Sequence, residues 1–150
     1  MTFLGRLMTR IGTAVQMAPL DGYIEAMLEL GDLNTRTKSV STPGIQTLGN
    51  MADLDEPLSK EQHNLYRIIV GKAMWLCPIR PDITYTGKEL SRKLVATTLE
   101  SWMRAKHLLK YLKGTADYVL EVRPKYQLTG DQTSVDIDAY VDSDWAGCQE

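Results

Sequence analysis

Three aspartates share one side of an alternating segment near the end of the chain. Asp136, Asp138 and Asp142 alternate with Val135, Ile137, Ala139 and Val141, which predicts a strand with one apolar and one acidic face. Like charges in a row repel, so such a face is either solvated or neutralised by cations. Divalent-metal chemistry is one use of that pattern and an ordinary wet strand face is the other. Cys77 and Cys148 lie far apart, with no Cys-x-x-Cys and no histidine pair at metal spacing. Neither a zinc site nor a disulfide framework is expected, and a reducing intracellular compartment, cytoplasm or nucleus, is the default.

The basic residues make a second pattern. Lys and Arg number 17 against 19 Asp and Glu, a net charge of -2 that taken whole argues against a polyanion binder. The distribution is uneven. Residues 60–113 carry eleven basic and four acidic side chains, net +7, between segments of net -3 and -6. A cationic middle followed by an acidic tail suits a nucleic-acid-facing module beside a carboxylate-rich one, and solvated lysines are the plain alternative.

The elements that must position these groups are partly readable. Residues 3–9 and 13–17 flank Ile11-Gly12 and predict a hairpin, with Gly12 supplying the positive φ of the turn. Pro19 and Asp21 open a short helix whose apolar side is Ile24, Met27, Leu28 and Leu30, stopped by Gly31. From Asp32 to Leu58 the periodicity vanishes, which predicts a long, mobile connection. A helix then carries Leu65, Ile68, Ile69, Met74, Trp75 and Leu76 as its apolar set and ends at Pro78. Arg80-Pro81-Asp82 starts another, with Ile83, Leu90 and Leu94 inward and an end near Val95.

The third helix, Leu99 to Lys113, buries Trp102, Ala105, Leu108, Leu109 and Leu112 on one face. Lys106, Lys110 and Lys113 share a separate arc about 60° wide. Gly114 is the expected left-handed residue after it, and the lysines near that end also suit the helix dipole. Beyond it, Tyr118–Arg123 and the acidic alternation are strands. No apolar run approaches the roughly 18–20 residues of a membrane span. The first twenty residues, with Arg6 and Arg10 and no acid, are too broken by Gly12, Thr13, Gln16 and Pro19 for a targeting signal.

One ordered set of short motifs resembles a known family. Tyr66-Arg67, Val70-Gly71, Trp75-Leu76, Arg80-Pro81-Asp82-Ile83 and Leu90-Ser91-Arg92 come first. Ala105-Lys106, Leu109-Lys110-Tyr111-Leu112-Lys113-Gly114-Thr115 and Asp142-Ser143-Asp144-Trp145-Ala146-Gly147 follow. The string resembles the Pol polyprotein of copia-type LTR retrotransposons where reverse transcriptase runs into ribonuclease H. Phe3-Leu4-Gly5 resembles the start of the hairpin that grips the primer end, and Tyr23-Ile24 through Ser41-Thr42-Pro43 the segment leading into the thumb.

The resemblance implies an α+β chain in four parts. These are a primer-grip-like hairpin at 1–19, a short helix and long loop at 20–59, a helical thumb and connection at 60–115, and at 116–150 the opening strands of an incomplete ribonuclease H-like sheet. It implies an RNA-directed DNA polymerase fused to a nuclease, both working through two divalent metals, Mg²⁺ in the intact enzyme. Asp142 matches the family's first nuclease carboxylate, a catalytic metal ligand; a strand-end carboxylate is the plain alternative. No Tyr-x-Asp-Asp occurs, and one aspartate cannot hold two ions. The fragment alone is therefore expected to bind no metal stably and to catalyse nothing.

What the resemblance leaves is a scaffold for the template–primer hybrid. Phe3, Leu4 and Gly5 would contact the primer backbone, and Arg67, Lys72, Lys106, Lys110 and Lys113 would contact phosphates without reading sequence. Trp75 and Trp102, at apolar helical positions, are expected in the core. Expected partners are RNA–DNA hybrid, bound weakly and without sequence preference, and the missing portions of Pol, with no membrane. The alternative is a domesticated or decayed fragment whose apolar faces serve as a protein-interaction module.

Overall fold

The computed structural model describes residues 1–46 and 54–123. Its architecture is α+β: a four-stranded antiparallel sheet, order β1-β2-β3-β4, against four α-helices. The strands are β1 (Thr2–Phe3), β2 (Arg6–Ile11), β3 (Ala14–Pro19) and β4 (Leu120–Val122). The helices are α1 (Tyr23–Leu30), α2 (Lys60–Leu76), α3 (Thr84–Ser91) and α4 (Leu99–Gly114), with a 3₁₀ turn at Pro81–Ile83.

The expected hairpin is β2–β3, with Met8 opposite Met17 and Ile11 opposite Ala14. Gly12 takes φ 60° at its turn, as the sequence required. Its start differs. Phe3 belongs to a separate strand, because Leu4 (φ 47°) and Gly5 (φ 74°) both turn left-handed, as a two-residue hairpin turn demands. The strand expected at Tyr118–Arg123 is shorter and pairs with β3, Val122 opposite Val15. It closes the hairpin's sheet at its second edge. The acidic alternation at 135–142 lies outside the described residues.

The helices pack Ile24 and Met27 of α1, five residues of α2, Ile83 and Leu90, and the apolar stripe of α4 into one core. Helix α4 matches its expected stripe residue for residue: Trp102, Ala105, Leu108, Leu109 and Leu112 are all buried. Helix α2 does not. Its inward stripe is Tyr66, Ile69, Val70, Ala73 and Leu76, while Ile68 and Met74 are 47% and 41% exposed. It also begins earlier, at Lys60, because Ser59 and Gln62 form a capping box: Ser59 Oγ accepts the Gln62 amide and Gln62 Oε1 the Ser59 amide. Helix α3 ends at Ser91, short of Val95, whose side chain is exposed.

Helix α1 stops at Gly31 as expected, yet neither Gly31 nor Gly114 takes the left-handed conformation. Gly31 has an ordinary φ of -86°, and Asp32 takes the left-handed position instead (φ 55°), with Leu33 N–H reaching the Leu28 carbonyl. A Cβ on Gly31 would stand 2.3 Å from Leu109 Cδ1. Gly114 is likewise helical rather than left-handed, and a Cβ there would stand 2.8 Å from Ser39 Cβ. Both are sites of close approach.

Arg80 ties the helices together from inside. It is 2% exposed, and its guanidinium donates to both carboxylate oxygens of Asp82 (3.0 and 2.7 Å) and to Thr115 O and Oγ1 (2.9 and 2.7 Å). The Tyr111 hydroxyl also donates to Asp82 (2.9 Å), and the Tyr111 and Tyr118 rings flank the guanidinium. Burial alone would raise the Asp82 carboxyl. Hydrogen bonds from Arg80 and Tyr111, with the Arg80 charge, outweigh it and hold the group below its usual range. Nearby, the buried Tyr66 donates its hydroxyl to the Leu90 carbonyl (2.7 Å), and burial pushes its pKa up to about 12.

Candidate nucleic-acid interface

The turn between β1 and β2 rests on the C-terminal end of α2. A Cβ on Gly5 would stand 3.3 Å from the Trp75 ring, so the turn lies flat on the indole. The Arg6 guanidinium covers that ring at 4.8 Å and donates to the Trp75 carbonyl (2.8 Å). Tyr23, at the start of α1, stacks on Trp75 with centroids 4.7 Å apart. Lys72 Nζ lies over the Tyr23 ring at 4.5 Å. The order is cation, ring, ring, cation. The Tyr23 hydroxyl donates to the Lys72 carbonyl (3.2 Å), while Arg6 caps the Trp75 carbonyl, one of the last four of α2. Burial raises the Tyr23 phenol, with only partial opposition from the Arg6 charge, and keeps it a neutral donor.

This cluster brings together four residues singled out in the sequence: Phe3, Leu4, Gly5 and Lys72. Phe3 and Leu4 stand outward, 56% and 70% exposed. Arg6 and Tyr23 complete it and carry no local signal of doing so, because each is joined to Trp75 across a long stretch of chain. Trp75 itself is half-buried under Arg6, a packing role as expected. The Arg6 Nε is buried without a hydrogen-bond partner.

The lysines of α4 divide by their contacts. Lys106 and Lys110 are one turn apart, and Lys106 Nζ lies 5.5 Å from the buried Trp102 ring. Lys113 points elsewhere. Its Nζ donates to the carbonyls of Asn34 (2.8 Å), Thr35 (2.9 Å) and Thr37 (2.6 Å), which uses all three ammonium protons. His107 Nε2 lies 3.0 Å from the Thr42 carbonyl oxygen, and the Arg104 guanidinium donates to the carbonyls of Ile45 and Gln46. Arg104 also pairs with Glu100 at 2.8 Å. The stretch 32–46, expected as a loose connection, is thus strapped across the outside of α4. The sequence offered no local sign of these contacts, which join residues about sixty to eighty positions apart.

Arg67 is exposed. It precedes Lys72 by five positions on α2, about 140° around the helix axis, so the two side chains leave different sides of the helix. Asp142 lies outside the described residues. Among the described residues no group of three or more His, Cys, Asp or Glu side chains is placed to hold a metal ion. Nor is any described helix long and apolar enough to cross a membrane.

Comparison with known proteins gives a partial match. Retrovirus-related Pol polyproteins from transposons RE2 and RE1 of Arabidopsis thaliana are each 35% identical to this chain over 82 residues, 55% of its length. An uncharacterized mitochondrial protein of the same plant is 34% identical over 83 residues. The matched stretch is 5% of each Pol polyprotein and 32% of the mitochondrial protein, so the chain spans a small part of the relatives it matches. No family model matches, and no solved structure does. Over 55% of its length the chain is distantly similar to retrotransposon Pol polyproteins.

Proposed function

We propose that this chain is a template–primer-binding element of a retrotransposon reverse transcriptase, contributing backbone contacts to an RNA–DNA hybrid rather than catalytic groups. The similarity to Pol polyproteins is the observation that carries the reading. The charge distribution agrees with it, since the net +7 of residues 60–113 falls on the helical region. Two surfaces would share the work. At one, the exposed Phe3 and Leu4, at the β1–β2 turn, lie near Arg6 and Lys72; at the other, the half-exposed Lys106 and Lys110 stand one turn apart on α4. Contacts of this kind are electrostatic and indifferent to sequence.

Fluorescence anisotropy with a labelled RNA–DNA hybrid at 50 and 200 mM salt tests the reading. Affinity should fall steeply with salt, with a log–log slope of about -0.9 per phosphate neutralised. Binding that ignores salt, or none at low salt, would contradict it, as would nucleotide incorporation by the purified chain with Mg²⁺. A second reading, a protein-interaction module, draws on the exposure of Phe3, Leu4 and Ile68 (56%, 70% and 47%). Self-association in light scattering without hybrid affinity would select it.

A further inference from the structure

The contacts that hold residues 32–46 on α4 share one chemistry. Each runs from a nitrogen-bearing side chain of the helix, Arg104, His107 or Lys113, to a main-chain carbonyl of the strap. A carbonyl is a neutral acceptor. A phosphate oxygen is a charged one, and charge-assisted hydrogen bonds are roughly twice as strong as neutral ones. The strap's apolar anchorage is modest: Leu33 and Val40 are partly buried against the core, while Arg36, Lys38, Ser39, Ser41 and Thr42 lie toward solvent. The three side chains it occupies lie on the same helix as Lys106 and Lys110, whose ammonium groups the strap leaves alone.

We infer that residues 32–46, held on α4 by Arg104, His107 and Lys113, are an autoinhibitory strap whose carbonyls fill the place on Lys113 that a phosphate of a nucleic-acid backbone would take. Closure of the strap and full engagement of the backbone are then mutually exclusive. The inference rests on the hybrid-binding reading above and adds a regulatory step to it. With the strap closed, Lys106 and Lys110 are the α4 cations that meet the hybrid. With it displaced, Lys113 joins Lys106 and Lys110 on one arc of the helix about 60° wide, and binding becomes tighter and more salt-dependent.

Gly114 offers a lever that touches none of the cations. A Cβ there would fall 2.8 Å from Ser39 Cβ and 3.2 Å from Ser39 Oγ, so a side chain at 114 must push the strap away. Gly114 is helical, with no positive φ, and Gly114→Val therefore needs no change of backbone conformation.

The test is hydrogen exchange of the strap amides combined with hybrid anisotropy, on the full chain and on Gly114→Val. The proposal expects saturating hybrid to lower protection across 33–46 in the native chain. Gly114→Val should bind hybrid more tightly, with a log–log salt slope steeper by about 1, because Lys113 adds a phosphate contact. If the native chain binds hybrid while strap protection holds or rises, the strap inference is overturned and the binding reading stands. The strap inference is also overturned if Gly114→Val loosens the strap but leaves affinity and slope unchanged. If neither protein binds hybrid, both ideas fall.

Discussion

Replacing Arg80 with methionine should cost more than any other single exchange of similar size. Methionine roughly matches the length of the aliphatic stem but removes five donated hydrogen bonds, three to Asp82 and two to Thr115. Thr115 is 7% exposed, so its carbonyl and hydroxyl are left without the solvent that could replace the guanidinium. Removing one partner of a buried pair costs about 3–5 kcal/mol. The Asp82 side chain is 31% exposed, water can take over part of the lost interaction, and the low end applies. About 3 kcal/mol is a large share of the total for a domain stabilised by roughly 5–15 kcal/mol.

Urea unfolding followed by tryptophan fluorescence measures this loss. With a slope near 2 kcal/mol per molar, the midpoint should fall by about 1.5 M. The pH dependence gives an independent check. The Asp82 carboxyl is depressed in the folded state, so its contribution is complete above its unfolded value of about 3.9 and disappears as pH falls through the lower folded value. Arg80→Met has already lost that contribution, and its gap from the native chain should narrow below about pH 4. A loss under about 1 kcal/mol, or a gap that widens in acid, would refute the reasoning.

The glycines give opposite predictions. Gly31→Ala drives a methyl group into Leu109 and should destabilise by about 1–3 kcal/mol, whereas Gly71→Ala, with nothing within 4 Å, should stabilise α2 by about 0.5–1 kcal/mol. Thermal unfolding of the two variants checks both, and equal effects would contradict the packing described. Lys106→Gln and Lys110→Gln should each reduce the salt slope of hybrid binding by about 1, with no loss of stability for Lys110→Gln and at most about 1 kcal/mol for Lys106→Gln, which removes the cation over the Trp102 ring. Lys113→Gln should behave differently, lowering stability by about 1–3 kcal/mol because the strap carbonyls lose a charged donor.

Local pattern made some elements legible and left others hidden. Helix α4 was readable because its apolar residues fall on one clean stripe with polar residues between them. In α2 the run Ile68-Ile69-Val70 offers two possible stripes, and the choice is made by neighbours. Tyr66 goes inward because its hydroxyl reaches the Leu90 carbonyl, and Ala73 packs there fully buried, while Ile68 is left outside. The Ser59-x-x-Gln62 cap is the start signal for α2 that the sequence does contain.

The glycines at 31 and 114 are a subtler case. Each sits where a helix ends, so a stop signal was the natural reading, yet the reason for each lies in a residue distant along the chain, Leu109 or Ser39. The same holds for the candidate site. The cationic character of the middle was visible from counting. That Lys113 is spent on the strap, and that Lys72 belongs with Phe3-Leu4-Gly5 through Tyr23 and Trp75, depends on tertiary contacts that no local pattern encodes.

Chemical-shift mapping of the backbone amides during titration with a short RNA–DNA hybrid is the most direct test of where a nucleic-acid backbone is met. The largest changes should fall at Phe3–Arg6, Lys72, Lys106 and Lys110 and collapse at high salt. Shifts confined to residues away from these two surfaces, or none at a hybrid concentration well above the protein's, would contradict the assignment of a binding face to this chain.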